Sequence, residues 1–186
     1  MSAGNKVPYK VAAEFAGEII EKLSPYCERI AFAGSLRRQR AQIGDVEIVA
    51  LPRRAVDLFG QVDLKRPSAL DRGLASMGVH LTKDGPLYKQ FCTVGLNVDL
   101  FLPASAAHWG CIYTIRTGSQ EFNMWLMNVA SPRARVRFES GRLLERVSGR
   151  VVETPEEVDV FKALGLPFVL PQLRDDGRWL DIEGVR

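Results

Sequence analysis

The stretch Asp45-Val46-Glu47-Ile48-Val49-Ala50-Leu51, entered through Gly44 and closed by Pro52, constrains this chain more than any other part of it. Its apolar and β-branched residues predict a strand. Side chains two apart on a strand share a face, so Asp45 and Glu47 point together while Val46 and Ile48 pack behind them. Two carboxylates on one strand face repel unless a cation neutralises them. Residues 97–102 repeat the problem: Asp99 lies between Val98 and Leu100, where a lone acid is costly without a partner. If the two strands are neighbours, three carboxylates converge. Hard oxygen ligands at that density suit Mg²⁺ or Mn²⁺, and two such ions ~4 Å apart serve in-line phosphoryl displacement. On the acids alone an alternative stays open, with Asp45 at a turn and Glu47 on a solvated face.

The rest of the chain supplies elements around these strands. Residues 8–23 place Val11, Ala12, Phe15, Ile19, Ile20 and Leu23 at three- and four-residue spacing behind Pro8, which predicts an amphipathic helix. Residues 29–33 predict a strand ending in Gly34-Ser35, residues 70–77 a helix, and residues 88–94 and 97–102 a hairpin turning around Gly95. The order helix, strand, strand, helix, hairpin predicts an α+β fold: a mixed sheet covered by helices on one side, followed by a small helical and hairpin region. After Pro103 the pattern is mainly helical up to Ala130, where Ser131-Pro132 ends it; residues 133–150 then predict an exposed hairpin turning at Ser140-Gly141. Thr154 is the expected cap of a short helix with Pro155 at its first position and Gly165 past its end. The domain boundary is expected between residues 104 and 118, drawn here as 1–115 and 116–186.

Charge narrows the function classes. Across 186 residues the net charge is only +3, which excludes a histone-like polycation, but residues 116–150 hold seven basic and three acidic side chains. Cys27, Cys92 and Cys111 have no CxxC spacing and no nearby histidine pattern, so they read as free thiols of a reducing compartment. Residues 1–6 lack a signal-peptide core, and the charge-free run 100–115 is broken by Pro103 and shorter than the ~20 residues of a membrane span. The expectation is a soluble, unexported chain, cytoplasmic or nucleoid-associated.

Gly34-Ser35 lies ten residues before Asp45, where a strand turns into a segment carrying Arg37, Arg38 and Arg40. Glycine lets backbone approach a ligand, and amides, a hydroxyl and arginines together make an anion site. A phosphate cradle followed by paired acids is what one nucleoside triphosphate requires. Ala33-Gly34-Ser35-Leu36-Arg37-Arg38, Gly44-Asp45-Val46-Glu47 and Val98-Asp99-Leu100 resemble the nucleotidyltransferase superfamily typified by DNA polymerase beta. Thr117-Gly118-Ser119-Gln120-Glu121-Phe122-Asn123, Thr154-Pro155-Glu156-Glu157 and Leu164-Gly165-Leu166-Pro167 resemble the thumb signatures of the X family of DNA polymerases.

The resemblance implies a palm at 1–115 and a thumb at 116–186, the minimal form of the family that some viruses encode. It implies that Asp45 and Glu47 hold two metal ions, Mg²⁺ or Mn²⁺, and that Asp99 holds the catalytic ion and helps deprotonate a primer 3′-hydroxyl. It places Gly34, Ser35, Arg38 and Gly44 on the triphosphate, Arg116, Gly118 and Ser119 near the sugar, and Asn123 on the base side. Glu47 departs from the usual Asp, Ile115-Arg116 from an aromatic pair, and Met127 from an arginine. The activity implied is addition of dNMP from dNTP to a primer in short-gap or repair-type synthesis. Template-independent or small-molecule transfer and a catalytically silent nucleic-acid binder are the alternatives. The implied partners are dNTP and DNA, bound by a monomer away from membranes. Arg133, Arg135 and Arg137, alternating along one strand face, with Arg142 and Arg146 on its partner, are expected to meet DNA phosphates. At their helical spacings Trp109 and Trp125 read as core before base-stacking residues.

Overall fold

The computed structural model describes residues 6–55, 58, 62–64, 66–93 and 95–185, in two compact units, Met1–Ala104 and Ser105–Arg186. The division falls between Ala104 and Ser105, so residues 105–115 go with the second unit. The reason is local: the helix that begins at Trp109 runs unbroken to Thr117, and its Gly110 packs on the backbone of Thr154 and Glu156.

The first unit runs β1 (Val7–Pro8), α1 (Tyr9–Leu23), β2 (Cys27–Phe32), α2 (Gly34–Arg37), β3 (Gln42–Ile43), β4 (Asp45–Pro52), α3 (Ala69–Ser76), β5 (Leu81–Asp84), β6 (Tyr88–Thr93) and β7 (Leu96–Phe101). Five strands form one sheet in the order β2-β4-β7-β6-β5, parallel only between β4 and β7; β1 and β3 pair separately. The mixed sheet is as the sequence predicts, with β5 as an addition, since the polar Leu81–Asp84 has little apolar alternation. Val94, the last residue of the predicted strand 88–94, lies outside the described residues.

The two sheet faces differ by one-residue alternation. Val46, Ile48 and Ala50 of β4 and Leu96, Val98 and Leu100 of β7 join Ala12, Ala16, Ile19 and Leu23 of α1 and Leu70 and Leu74 of α3 in one core. Each fully buried aliphatic side chain here contributes about 1.5–3 kcal/mol. The helix positions recur every three or four residues, the period that aims one face of a helix at a sheet. Asp45, Glu47 and Asp99 are therefore on the face opposite the helices.

The second unit contains α4 (Trp109–Thr117), α5 (Gln120–Trp125), a π-helical turn (Leu126–Ala130), α6 (Ser131–Arg133), the three-stranded antiparallel sheet β8 (Val136–Glu139), β9 (Arg142–Glu145) and β10 (Val151–Val152), and α7 (Glu157–Leu164). Its core gathers Phe122, Val136, Leu143, Phe161 and Trp179. Trp109 is buried, and Trp125 stacks on Phe122 at 5.8 Å between ring centroids, so both fill the interior. Two local expectations are corrected. Thr154 does not cap α7: Glu156 does, in a reciprocal box with Asp159, and Thr154 instead accepts a hydrogen bond from the Cys111 amide. The Thr154 amide and hydroxyl are taken up by Ala107 and Cys111, and the extended backbone of Glu156, at φ −119° and ψ 153°, is where the helix begins. Ser131-Pro132 does not stop the helical run at once: α6 follows the π-helical turn directly and ends at Arg133, one residue past the proline. Among the described residues no helix is long and apolar enough to cross a membrane.

Candidate active site

Strand pairing brings the three acids of the first unit together. The parallel register of β4 and β7 sets Glu47 opposite Asp99 and Asp45 opposite Asn97, so all three carboxylates leave the same face. Asp99 is buried, Glu47 half-buried and Asp45 exposed at the strand's start. Partial desolvation raises the Asp45 carboxyl above its ordinary 3.8, the charge of Asp99 adds to this, and Arg38 and a backbone hydrogen bond oppose it. Arg38 thus stands close enough to act on Asp45, linking the predicted phosphate and acid sites.

Two residues that the sequence reading missed hold Asp99. The Tyr88 hydroxyl and the Gln90 side-chain amide, the latter at 2.8 Å, both donate to Asp99 Oδ1. Hydrogen bonds to a charged group are worth about 1.5–3 kcal/mol and fix its orientation. Tyr88 is itself braced by stacking on Phe101 at 5.2 Å. The signal was present: a hairpin turning next to Gly95 pairs Gln90 with Asp99 and Tyr88 with Phe101, so Tyr88 and Gln90 share the acid's face.

Gly34 opens α2 with φ +56°, and a Cβ there would overlap Glu47 Oε2 and stand 2.8 Å from Cδ. The glycine therefore answers two needs, a backbone turn open to few other residues and room for the carboxylate. Ser35 Oγ is buried and, among the described residues, lacks a hydrogen-bond partner. A buried hydroxyl without a partner carries a desolvation cost that a ligand oxygen would relieve. Gly44 stands half-buried directly before Asp45.

Among the described residues no three His, Cys, Asp or Glu side chains converge as they stand on one metal position. The donor chemistry nonetheless fits a hard divalent cation: all three groups are carboxylates on one face, and the charge of Asp99 raises Asp45.

The second unit holds the remaining candidates. Gly118 is buried at φ +66°, follows α4, and is joined to Ser119 by a cis peptide bond. Ser119 caps α5 by accepting from the Phe122 amide, and its hydroxyl donates to the Arg174 carbonyl at 2.5 Å. Asn123 donates its side-chain amide to the Ile115 carbonyl at 2.7 Å, so that nitrogen ties α5 to α4. Arg116 is exposed at the end of α4. Arg174, which the sequence reading passed over, is fully buried, with Nη1 2.7 Å from Glu157 and two nitrogens on the Val169 carbonyl. Its guanidinium stacks on Phe122, Phe161 and Phe168.

The expected arginine strand face is corrected. Arg133 ends α6, Arg135 has φ +57° in the turn that follows, and β8 begins only at Val136, which the core buries. Arg137 is the one of the three on the strand, where it bonds Glu139 at 3.0 Å and the Arg146 carbonyl. Arg142 stands across from Glu139 on β9, and Arg146 donates to the Val136 carbonyl. The cationic side chains remain, but as a cluster around the turn instead of a ladder.

Comparison with known proteins adds three findings. The family described as DNA polymerase beta thumb matches residues 113–175. The Bacillus subtilis (strain 168) DNA polymerase/3′-5′ exonuclease PolX is 27% identical over 179 residues, 93% of this chain; the chain spans 29% of that protein's length. A crystal structure of Leishmania infantum polymerase beta, a ternary P/T complex, has the same fold, with a TM-score of 0.70 at 20% identity over 93% of this chain and 78% of that one.

Proposed function

We propose that this X-family-polymerase-like chain is a metal-dependent nucleotidyltransferase that adds dNMP from dNTP to a primer 3′-hydroxyl in DNA. The observation that carries the reading is the parallel register of β4 and β7, which puts Glu47 opposite Asp99 with Asp45 on the same face, beside Gly34 and Ser35. Asp45, Glu47 and Asp99 would hold Mg²⁺ or Mn²⁺. Bound divalent ions supply charge neutralisation on the phosphates and lower the pKa of a coordinated hydroxyl.

The protein's own residues do the positioning that phosphoryl transfer demands. Ser35 Oγ and the amides of the Gly34 turn would take the triphosphate oxygens, with Arg38 offsetting their charge. Tyr88 and Gln90 hold Oδ1 of Asp99, leaving Oδ2 toward the reacting hydroxyl, whose proton it would accept. In the second unit, Gly118, Ser119 and Arg116 would seat the sugar, and Arg133, Arg135, Arg137 and Arg142 would meet DNA phosphates. Since the Asn123 amide nitrogen is bonded to Ile115, its side-chain oxygen is the atom left for the base. This restricted contact favours, as a second reading, transfer that depends little on the template.

Primer extension on one-nucleotide-gapped and blunt DNA with Mg²⁺ or Mn²⁺ tests both readings. Gapped DNA should direct the complementary nucleotide, and Asp99→Ala should abolish incorporation while DNA binding persists. Incorporation of all four nucleotides regardless of template would favour the second reading. No incorporation by the wild type under either metal would refute both.

A further inference from the structure

At the far end of β4 from the carboxylates lies a cavity of about 700 Å³ that the proposed chemistry does not use. Its lining includes Tyr26, Arg53, Arg54, Ser68 and Arg72, and among its described lining residues there is no acid. Arg53 follows the last residue of β4, whereas Glu47 is third in that strand. Six residues at about 3.3 Å each separate them by roughly 20 Å, so a triphosphate seated at Gly34 and Ser35 could not reach both ends.

The wall is built and fixed. The Tyr26 ring lies against Gly73 of α3, where a Cβ would come within 2.5 Å of Cδ2. The Arg53 amide donates to the Tyr26 carbonyl at 3.0 Å, and the Arg53 carbonyl accepts from Ala69, the first residue of α3, at 2.9 Å. These bonds hold three chain segments around the cavity. The Ser68 hydroxyl is committed to Asp71 at 2.7 Å, which leaves the arginines as the charged groups of the described lining.

Their hydrogen-bonding capacity is largely unmet among the described residues. Arg54 Nη2 donates to the Pro86 carbonyl at 2.8 Å, but Arg54 Nε is buried and without a partner among the described residues. Arg53 and Arg72 are exposed, and neither has a side-chain hydrogen bond or ion pair among the described residues. A guanidinium presents a planar fork of donors that matches phosphate oxygens. Three such groups line one cavity, Arg54 under the charge of Asp71 but Arg53 and Arg72 with no acid among the described lining residues, and together they select a ligand carrying several phosphates.

We propose that this cavity is a second anion site, which takes the phosphate groups of a single-stranded nucleic-acid segment. Free inorganic polyphosphate offers the same chemistry, and the experiment separates the two sources. Binding of fluorescein-labelled oligothymidylate to the full chain is followed by anisotropy across a salt series in EDTA, which keeps metal-dependent chemistry out. Each phosphate contact on a single strand contributes about 0.7 to the slope of log affinity against log salt. Arg53→Ala/Arg72→Ala should therefore flatten the slope by about 1.4 and weaken binding about tenfold at low salt. Arg53→Lys/Arg72→Lys should keep most of the slope, because the charges persist. Circular dichroism confirms that each variant is folded.

Unlabelled tripolyphosphate is then titrated against wild type and the alanine variant. A flattened slope with the oligonucleotide identifies the strand as the source. Tripolyphosphate binding that only the alanine variant loses, with the oligonucleotide slope intact, identifies free polyphosphate and overturns the strand assignment. Wild-type affinity for both ligands in the alanine variant overturns the site itself. None of these outcomes bears on Asp99-dependent incorporation, so this site and the proposed activity stand or fall separately.

Discussion

Gly34→Ala separates the folding role of the Gly34 turn from its proposed chemical role. The added Cβ meets two obstacles. The first is backbone: φ at position 34 is +56°, and a non-glycine residue in the left-handed region costs about 1–2 kcal/mol. The second is Glu47, whose Oε2 the Cβ would overlap and whose Cδ and Cβ lie 2.8 and 3.1 Å away. Oε2 and Cδ can swing aside by χ rotation, whereas Cβ, fixed by the backbone, must give by a few tenths of an ångström. Stability should therefore fall by little more than the φ penalty, lowering the melting temperature by about 4–8 °C per kcal/mol for a unit of this size. The displaced carboxylate is the larger loss. Moving a group that holds or orients a metal typically lowers affinity or activity about 10- to 100-fold. Three measurements on one preparation check this: a thermal melt, Mn²⁺ binding by electron paramagnetic resonance, and single-nucleotide incorporation on a gapped primer. Mn²⁺ affinity and incorporation within about twofold of wild type, together with a lowered melting temperature, would refute the placement of Glu47 in the site while upholding the backbone argument.

Other consequences concern the framework. Glu157→Ala removes a carboxylate from the buried Arg174 guanidinium and should cost about 3–5 kcal/mol in urea unfolding monitored by tryptophan fluorescence; a loss under 1 kcal/mol would show that the remaining contacts of Arg174 suffice. Burial alone would raise the Asp71 carboxyl, but hydrogen bonds from Lys89 and Ser68 outweigh it and hold it below 3.8. Its contribution is thus complete above the ordinary carboxylate range and fades as pH falls through the lowered value. Asp71→Asn should be about 1–2 kcal/mol less stable than wild type at pH 7, with the gap closing as pH falls from the ordinary carboxylate range through the lowered value; a gap that widens in acid contradicts the assignment. Burial pushes the Cys27 thiol up to about 11 and that of Cys111 to about 12, while Cys92 is exposed. Iodoacetamide at pH 8 should therefore add one label per native chain, at Cys92 by mass spectrometry, and rapid labelling of Cys111 would mean that the second unit opens.

The sequence by itself determined which residues could lie on a strand face and which type of chemistry they could support. Alternation put Asp45 with Glu47 and Val46 with Ile48, because a strand has period two whatever its neighbours are. The spacing from Gly34-Ser35 to Asp45, and the isolated acid at Asp99, were legible for the same local reason. The helical period placed Ala12, Ile19 and Leu23 in a core, and their burial agrees with it. Tertiary structure decided which strand met which. Parallel pairing of β4 with β7 joins residues some fifty positions apart, and no local propensity encodes that register. It alone set Glu47 against Asp99, and the hairpin register did the same for Tyr88 and Gln90. The same distinction explains the misplaced arginines: charge alternation from Arg133 to Arg137 looked like a strand, but burial of Val136 and continuation of the helix through Pro132 fixed where extended backbone could begin. Arg174 was invisible for the converse reason. A lone arginine near the end of a sequence looks solvated until the fold closes Glu157, the Val169 carbonyl and three aromatic rings around it, since a charge is tolerated in the interior only where its partners arrive from distant parts of the chain.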